Sequence, residues 1–174
     1  ALQATAGERV YYTVDVTTPA KTTVYQGSLT DPLPTGLTFI GPAELALVGG
    51  SLPAEVSLVD ANTKGEVSFG TAGSGNKYTN TTAADQVFRV TFPARVDNTY
   101  PAIATPANGA ELTNVARFNS KFAVNGSAVD ERTAQKMVTV VLPSPTLTKG
   151  RSPSGTPVAG GSTLNYTLTA GNAT

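Results

Sequence analysis

Apolar and polar residues alternate along most of this chain with the period of a strand. Val10, Tyr12, Val14 and Val16 are interleaved with Tyr11, Thr13, Asp15 and Thr17, so one face of an extended segment is apolar. Thr22–Leu29 reads as a second strand. The turn residues of "DPLPTG" then lead into Leu37–Ile40, with Pro34 at a favoured turn position. "AEVSLVD" and "GEVSFG" flank Ala61–Lys64 as a hairpin would. "QVFRVTF" sets Phe88, Val90 and Phe92 on one face, and "ELTNVARFNSKFAV" and "QKMVTVVL" supply two more strands. No segment has sustained helical spacing with caps. Short strands separated by frequent turn signals predict an all-β fold, an antiparallel two-sheet Ig-like β-sandwich.

The chain ends much as it begins. Gly7, Tyr12 and Thr13 match Gly161, Tyr166 and Thr167 at an offset of 161 − 7 = 154 residues. Val10, Val14 and Val16 fall on Leu164, Leu168 and Ala170, so the apolar alternation is also in phase. Self-similarity at a fixed spacing is the mark of a repeat. "PSP" at 143–145 interrupts the strand pattern with a stiff, extended stretch. The organisation expected is a sandwich domain over 1–142, a Pro-rich linker over 143–146, and the first strands of a following repeat over 147–174. A segment that donates strands to a neighbouring copy fits the same tail. With either choice the first domain's own first strand is expected to be missing, or supplied by a neighbouring repeat or subunit.

Composition narrows the function classes. The 174 residues carry no net formal charge and only 14% charged side chains, so no basic stripe for nucleic acid is available. Polarity comes from hydroxyls instead, with 27 Thr and 11 Ser. Cys, His and Trp are absent, which removes disulfides, thiol nucleophiles, His-based triads and the usual transition-metal ligand sets. No cofactor, metal or turnover chemistry is expected. No apolar run approaches the length of a membrane span. Low charge and abundant threonine point to an extracellular or cell-surface setting.

Three polar residues occupy apolar faces. In "ELTNVARF", Asn114 shares its side with Leu112 and Phe118; in "SLTDPL", Asp31 is in phase with Leu29 and Leu33; in "TLTKG", Lys149 is in phase with Leu147. Each has an ordinary reading: Asp31 before Pro32 as a turn former, Asn114 as a loop anchor, Lys149 as a solvated side chain near a linker. Together they form a reactive set. Burial favours the neutral amine and the protonated acid, and such an amine can attack the Asn amide carbon while the acid relays protons. An isopeptide bond forms once and ammonia leaves.

"LTDPLPTGLTF", "ELTNVA" and "LTKG…G…LNYTLT" resemble the "conserved repeat" modules of prokaryotic surface proteins. They are similar also to the fimbrial and collagen-adhesin β-sandwich domains that form Lys–Asn isopeptides. The resemblance implies an isopeptide-promoting acid at Asp31, a cross-linked amide at Asn114, and at Lys149 the amine of the next repeat or of a neighbouring subunit. By the repeat offset, this domain's own lysine falls six residues before Ala1, outside the chain. The resemblance implies a structural module of a surface fibre, fimbria, stalk or adhesin, whose partners are copies or repeats of the same protein. Self-complementation by strand exchange, and an adhesin module for a host or surface glycan or protein, are the alternatives. No nucleic-acid partner is expected.

Weaker signals remain. "DANTKGE" (Asp60–Glu66) faintly resembles a calcium loop but carries Thr71 where the bidentate Glu belongs, so a hairpin turn is expected. Sequons occur at Asn80, Asn125, Asn165 and Asn172. Gly70–Asp85 is expected to be the most flexible segment, an exposed tip.

Overall fold

The computed structural model describes residues 2–98, 107–123, 126–127, 129–152, 154, 160–161 and 163–173. They form strands and turns, with no α-helix among them. The chain separates into two units, Ala1–Val141 and Leu142–Thr174.

The first unit is built on two sheets. The larger contains, in spatial order, β1 (Leu2–Ala4), β11 (Val129–Val140), β10 (Glu111–Lys121), β3 (Thr23–Thr30), β7 (Glu66–Phe69) and β6 (Val56–Asp60), with β8 (Lys77–Thr79) also pairing β3. The smaller places β9 (Gln86–Val96) between β2 (Arg9–Thr18) on one side and β4 (Leu37–Phe39) and β5 (Glu44–Leu47) on the other. All described pairings are antiparallel except β1 with β11. Pro93 lies in central strand β9 where the partner changes from β5, which ends the pairing at Thr91, to β4, which resumes it at Ala94. A residue without an N–H is tolerated at such a gap.

The inward faces meet in an apolar core. Phe88, Val90, Phe92, Ala94 and Val96 of β9 lie buried against Leu29, Val56, Val67, Phe69, Val138 and Val140. Phe69 makes edge-to-face contacts with Phe88 and Phe118 at centroid separations of 5.1 and 5.4 Å, and Tyr12 and Phe39 stack on Phe92. Such pairs add about 0.5–1.5 kcal/mol each beyond the area they bury.

β1 runs beside the end of β11 in the register Leu2↔Val138 to Ala4↔Val140. In the second unit, β12 (Ser144–Ser152) starts within the Pro-rich stretch and pairs with β13 (Asn165–Ala173). Both strands of a two-stranded ribbon are edges, which is why Pro145 fits. The segment Gly70–Asp85 is tied down rather than a flexible tip. It holds a capped 3-10 turn at Ala72–Ser74, strand β8, and the buried side chains of Tyr78 and Asn80.

The side of the unit between β2 and β11 is open. Among the described residues, β2 has no strand on its outer edge, and β11 has none there over Val129–Met137.

Candidate functional site

Strand alternation brings Asp31 and Asn114 together. Asn114 lies on β10 between Leu112 and Ala116 on the inner face, and all three are buried. Asp31 follows β3 directly, and its N–H donates to the Lys64 carbonyl at 3.0 Å, holding the chain extended. Because Leu29 pairs with Phe118 and Thr30 with Arg117, Asp31 emerges on the inner face level with this part of β10. It is 1% exposed. From the opposite sheet, Tyr12 covers the pair.

The site's polar atoms lack partners. Both Asp31 carboxylate oxygens, Asn114 Oδ1 and the Tyr12 hydroxyl are buried without a hydrogen bond. Such groups are rare and costly, about 1–3 kcal/mol for each neutral one. Burial pushes the Asp31 carboxyl up to about 6; the Asn114 amide beside it pulls weakly the other way without closing a bond to either oxygen. Burial, and then the Asp31 charge, push the Tyr12 phenol up to about 12. An acid that holds its proton up to about pH 6, beside an amide carbonyl with a free oxygen, can polarise that carbonyl.

A hollow of about 170 Å³ opens on this pair, lined among others by Tyr12, Val14, Asp31, Asn114, Ala134 and Lys136. Lys136 lies directly opposite Asn114 in the β10–β11 register. Sequence reasoning missed Lys136 and Tyr12. Their signal was available in phase: Lys136 alternates with Val138 and Val140, and Tyr12 with Val10 and Val14.

Lys149 belongs to the second unit. It lies on β12 opposite Leu168, and its ammonium is 4.5 Å from the centroid of the Tyr166 ring. Of the three residues singled out in the sequence, Asp31 and Asn114 share one site and Lys149 is carried by the other unit.

The weaker signals resolve into structure. Asp60 accepts bonds from the Asn62 and Thr63 N–H groups and from the Thr63 hydroxyl, which makes the β6–β7 connection a self-satisfied hairpin turn. Asn80 is fully buried. Its Nδ2 donates to the carbonyls of Thr18, Pro19 and Ala84 at 2.9–3.1 Å, so it anchors a loop and has no room for a glycan. Asn125 lies outside the described residues; Asn165 is exposed on β13.

No protein-family model and no characterised protein sequence matches the chain. Solved structures match in fold. The pilus backbone protein RrgB of Streptococcus pneumoniae superposes with a TM-score of 0.54 at 19% identity, covering 68% of this chain and 26% of that one. BcpA, the major pilin subunit of Bacillus cereus, superposes with a TM-score of 0.53 at 13% identity, covering 98% of this chain and 51% of that one. The chain therefore has the β-sandwich fold found in pilins and spans between a quarter and a half of their length.

Proposed function

We propose that this chain is a structural, non-enzymatic module of an extracellular surface fibre, stabilised by a Lys–Asn isopeptide bond that Asp31 promotes. The observation that carries the reading is the buried Asp31–Asn114 pair with its unpartnered oxygens. An ordinary core does not retain a carboxylate and an amide in this state, whereas a site that later gains a lysine would satisfy them. The fold shared with a pilus backbone and a major pilin supports the same reading.

The bond forms without any oxidant. The lysine Nζ attacks Asn114 Cγ as the neutral amine while protonated Asp31 donates to Oδ1. The N–C bond forms, the C–Nδ2 bond breaks, and the one proton shed by Nζ leaves on the departing ammonia by way of the Asp31 carboxyl. The proton lent to Oδ1 returns to Asp31 as the carbonyl re-forms. The amine we assign is Lys149, from the next repeat or a neighbouring subunit. Lys136, opposite Asn114, is its competitor within the unit.

Boiling in denaturant followed by a gel and intact masses tests this. The expected product is a ladder of covalent multimers, each junction lighter by one ammonia, that disappears in Asn114→Ala. Monomers lighter by one ammonia would move the bond to Lys136, and full-mass monomers would remove it. The second reading, self-complementation by strand exchange, is favoured by the open edges of β2 and β11.

A further inference from the structure

We propose that the outer edge of β2 is a strand-accepting site. Its occupant is the β12 segment, Ser144–Ser152, of a second copy of this chain, antiparallel to β2 with Lys149 opposite Val14. This rests on the fibre reading above and adds to it the acceptor edge, the direction and the register.

The acceptor comes first. Three hollows run end to end between β2 and β11. One of about 470 Å³ is lined by Val14–Pro19 and by Ala116, Arg132 and Ala134; the one of about 170 Å³ at Asp31 and Asn114 shares Val14, Ala116 and Ala134 with it. A third of about 700 Å³ continues from Tyr12 and Lys136 to Leu2 and Val138. Together they make one groove along a strand edge whose backbone groups have no strand partner among the described residues. An extended segment laid there would pair those groups and cover the apolar lining.

The occupant is identified by the internal repeat. At the 154-residue offset, β13 falls on β2. Beside β13 the second unit already places a strand, and that strand is β12, antiparallel, with Leu147↔Ala170, Lys149↔Leu168 and Arg151↔Tyr166. Subtracting 154 from the β13 positions carries these pairs to Leu147 opposite Val16, Lys149 opposite Val14 and Arg151 opposite Tyr12. The unused edge of β2 is therefore the place where the chain's own repeat puts a β12 strand.

The side chains agree with that register. Leu147 and Lys149 share one face of β12, and the Lys149 ammonium sits over Tyr166 of β13. The residue in the Tyr166 position on β2 is Tyr12, the residue that covers Asp31 and Asn114. The transferred strand thus aims its lysine into the hollow that holds the unpartnered acid and amide. The donor also has reason to move: Leu147 and Leu168 are 72% and 66% exposed, and a two-stranded ribbon is marginal in water.

The absence of cysteine makes the register directly readable. Full-length Thr17→Cys and Thr146→Cys chains, both altered at exposed threonines, are mixed and oxidised. Transfer of Thr146↔Gly171 places Thr146 opposite Thr17, so a mixed disulfide dimer is expected between them, at least tenfold above that from Thr17→Cys with Leu147→Cys, which faces the other way. Capture of Thr146→Cys by Gln135→Cys or Thr133→Cys instead would place the strand on β11 and overturn the proposal. Absence of mixed dimers with any of these would assign the edge to another occupant and overturn it equally. Lys149→Ala in the donor separates the two readings. The β2 disulfide should persist while the ammonia loss vanishes; ammonia loss without β2 capture would keep the cross-link and discard the strand site.

Discussion

Asp31 is the acid of the proposed cross-link, and its burial gives it a pH signature. Its carboxyl is held at about 6 against an ordinary 3.8. The folded state therefore binds the proton more tightly than the unfolded chain does. Stability from this group is full below about pH 4, declines as pH rises to about 6, and stays lower above that, by roughly 3 kcal/mol in all at 1.36 kcal/mol per unit. Denaturant unfolding of the unlinked Asn114→Ala chain should show this fall, and Asp31→Asn added to it should flatten the curve; a stability that rises over the same window would contradict the assignment. Asn80 makes a separate prediction. Asn80→Ala removes three buried hydrogen bonds to backbone carbonyls and should cost about 2–3 kcal/mol in the same assay. At this scale the alternation of Leu112, Asn114 and Phe118 was enough to read Asn114 as inward. Asn80 was illegible because its burial depends on carbonyls contributed by Thr18 and Pro19, distant in sequence, and a "TNTTAAD" stretch reads as loop by composition alone.

Among the elements, the strands with strict alternation were legible and the short ones were not. β2 and β9 carry their faces in the sequence, whereas β8 has three residues among Gly, Ser, Asn and Thr and forms only because β3 offers it an edge. Gly70 makes that docking possible. Its φ is +108°, and a Cβ there would lie 2.5 Å from the Asn76 and Lys77 backbone. Gly70→Ala should release β8, seen as faster hydrogen exchange of the Lys77–Thr79 amides with β10 and β11 unchanged. β9 tests the core. Phe88 is fully buried against Phe69 and Tyr78, and Phe88→Ala should cost about 3–5 kcal/mol in thermal or denaturant unfolding. A loss below 1 kcal/mol would mean that these rings do not form the inter-sheet contact.

For the whole molecule, the tail that repeats the beginning is the organising fact. It was visible in the sequence as Gly161, Tyr166 and Thr167 in phase with Gly7, Tyr12 and Thr13. What the sequence could not display is that β2 leaves an edge open above an acid and an amide with unpartnered oxygens, since that depends on which strands pair. In the proposed reading, the buried Asp31–Asn114 pair would supply one covalent joint of a surface fibre. The most direct measurement is mass spectrometry of proteolytic fragments from the assembled protein. The account predicts a branched peptide in which Asn114 is joined to Lys149 with the loss of one ammonia. Recovery of Asn114 as an unmodified amide from fully assembled material would contradict it.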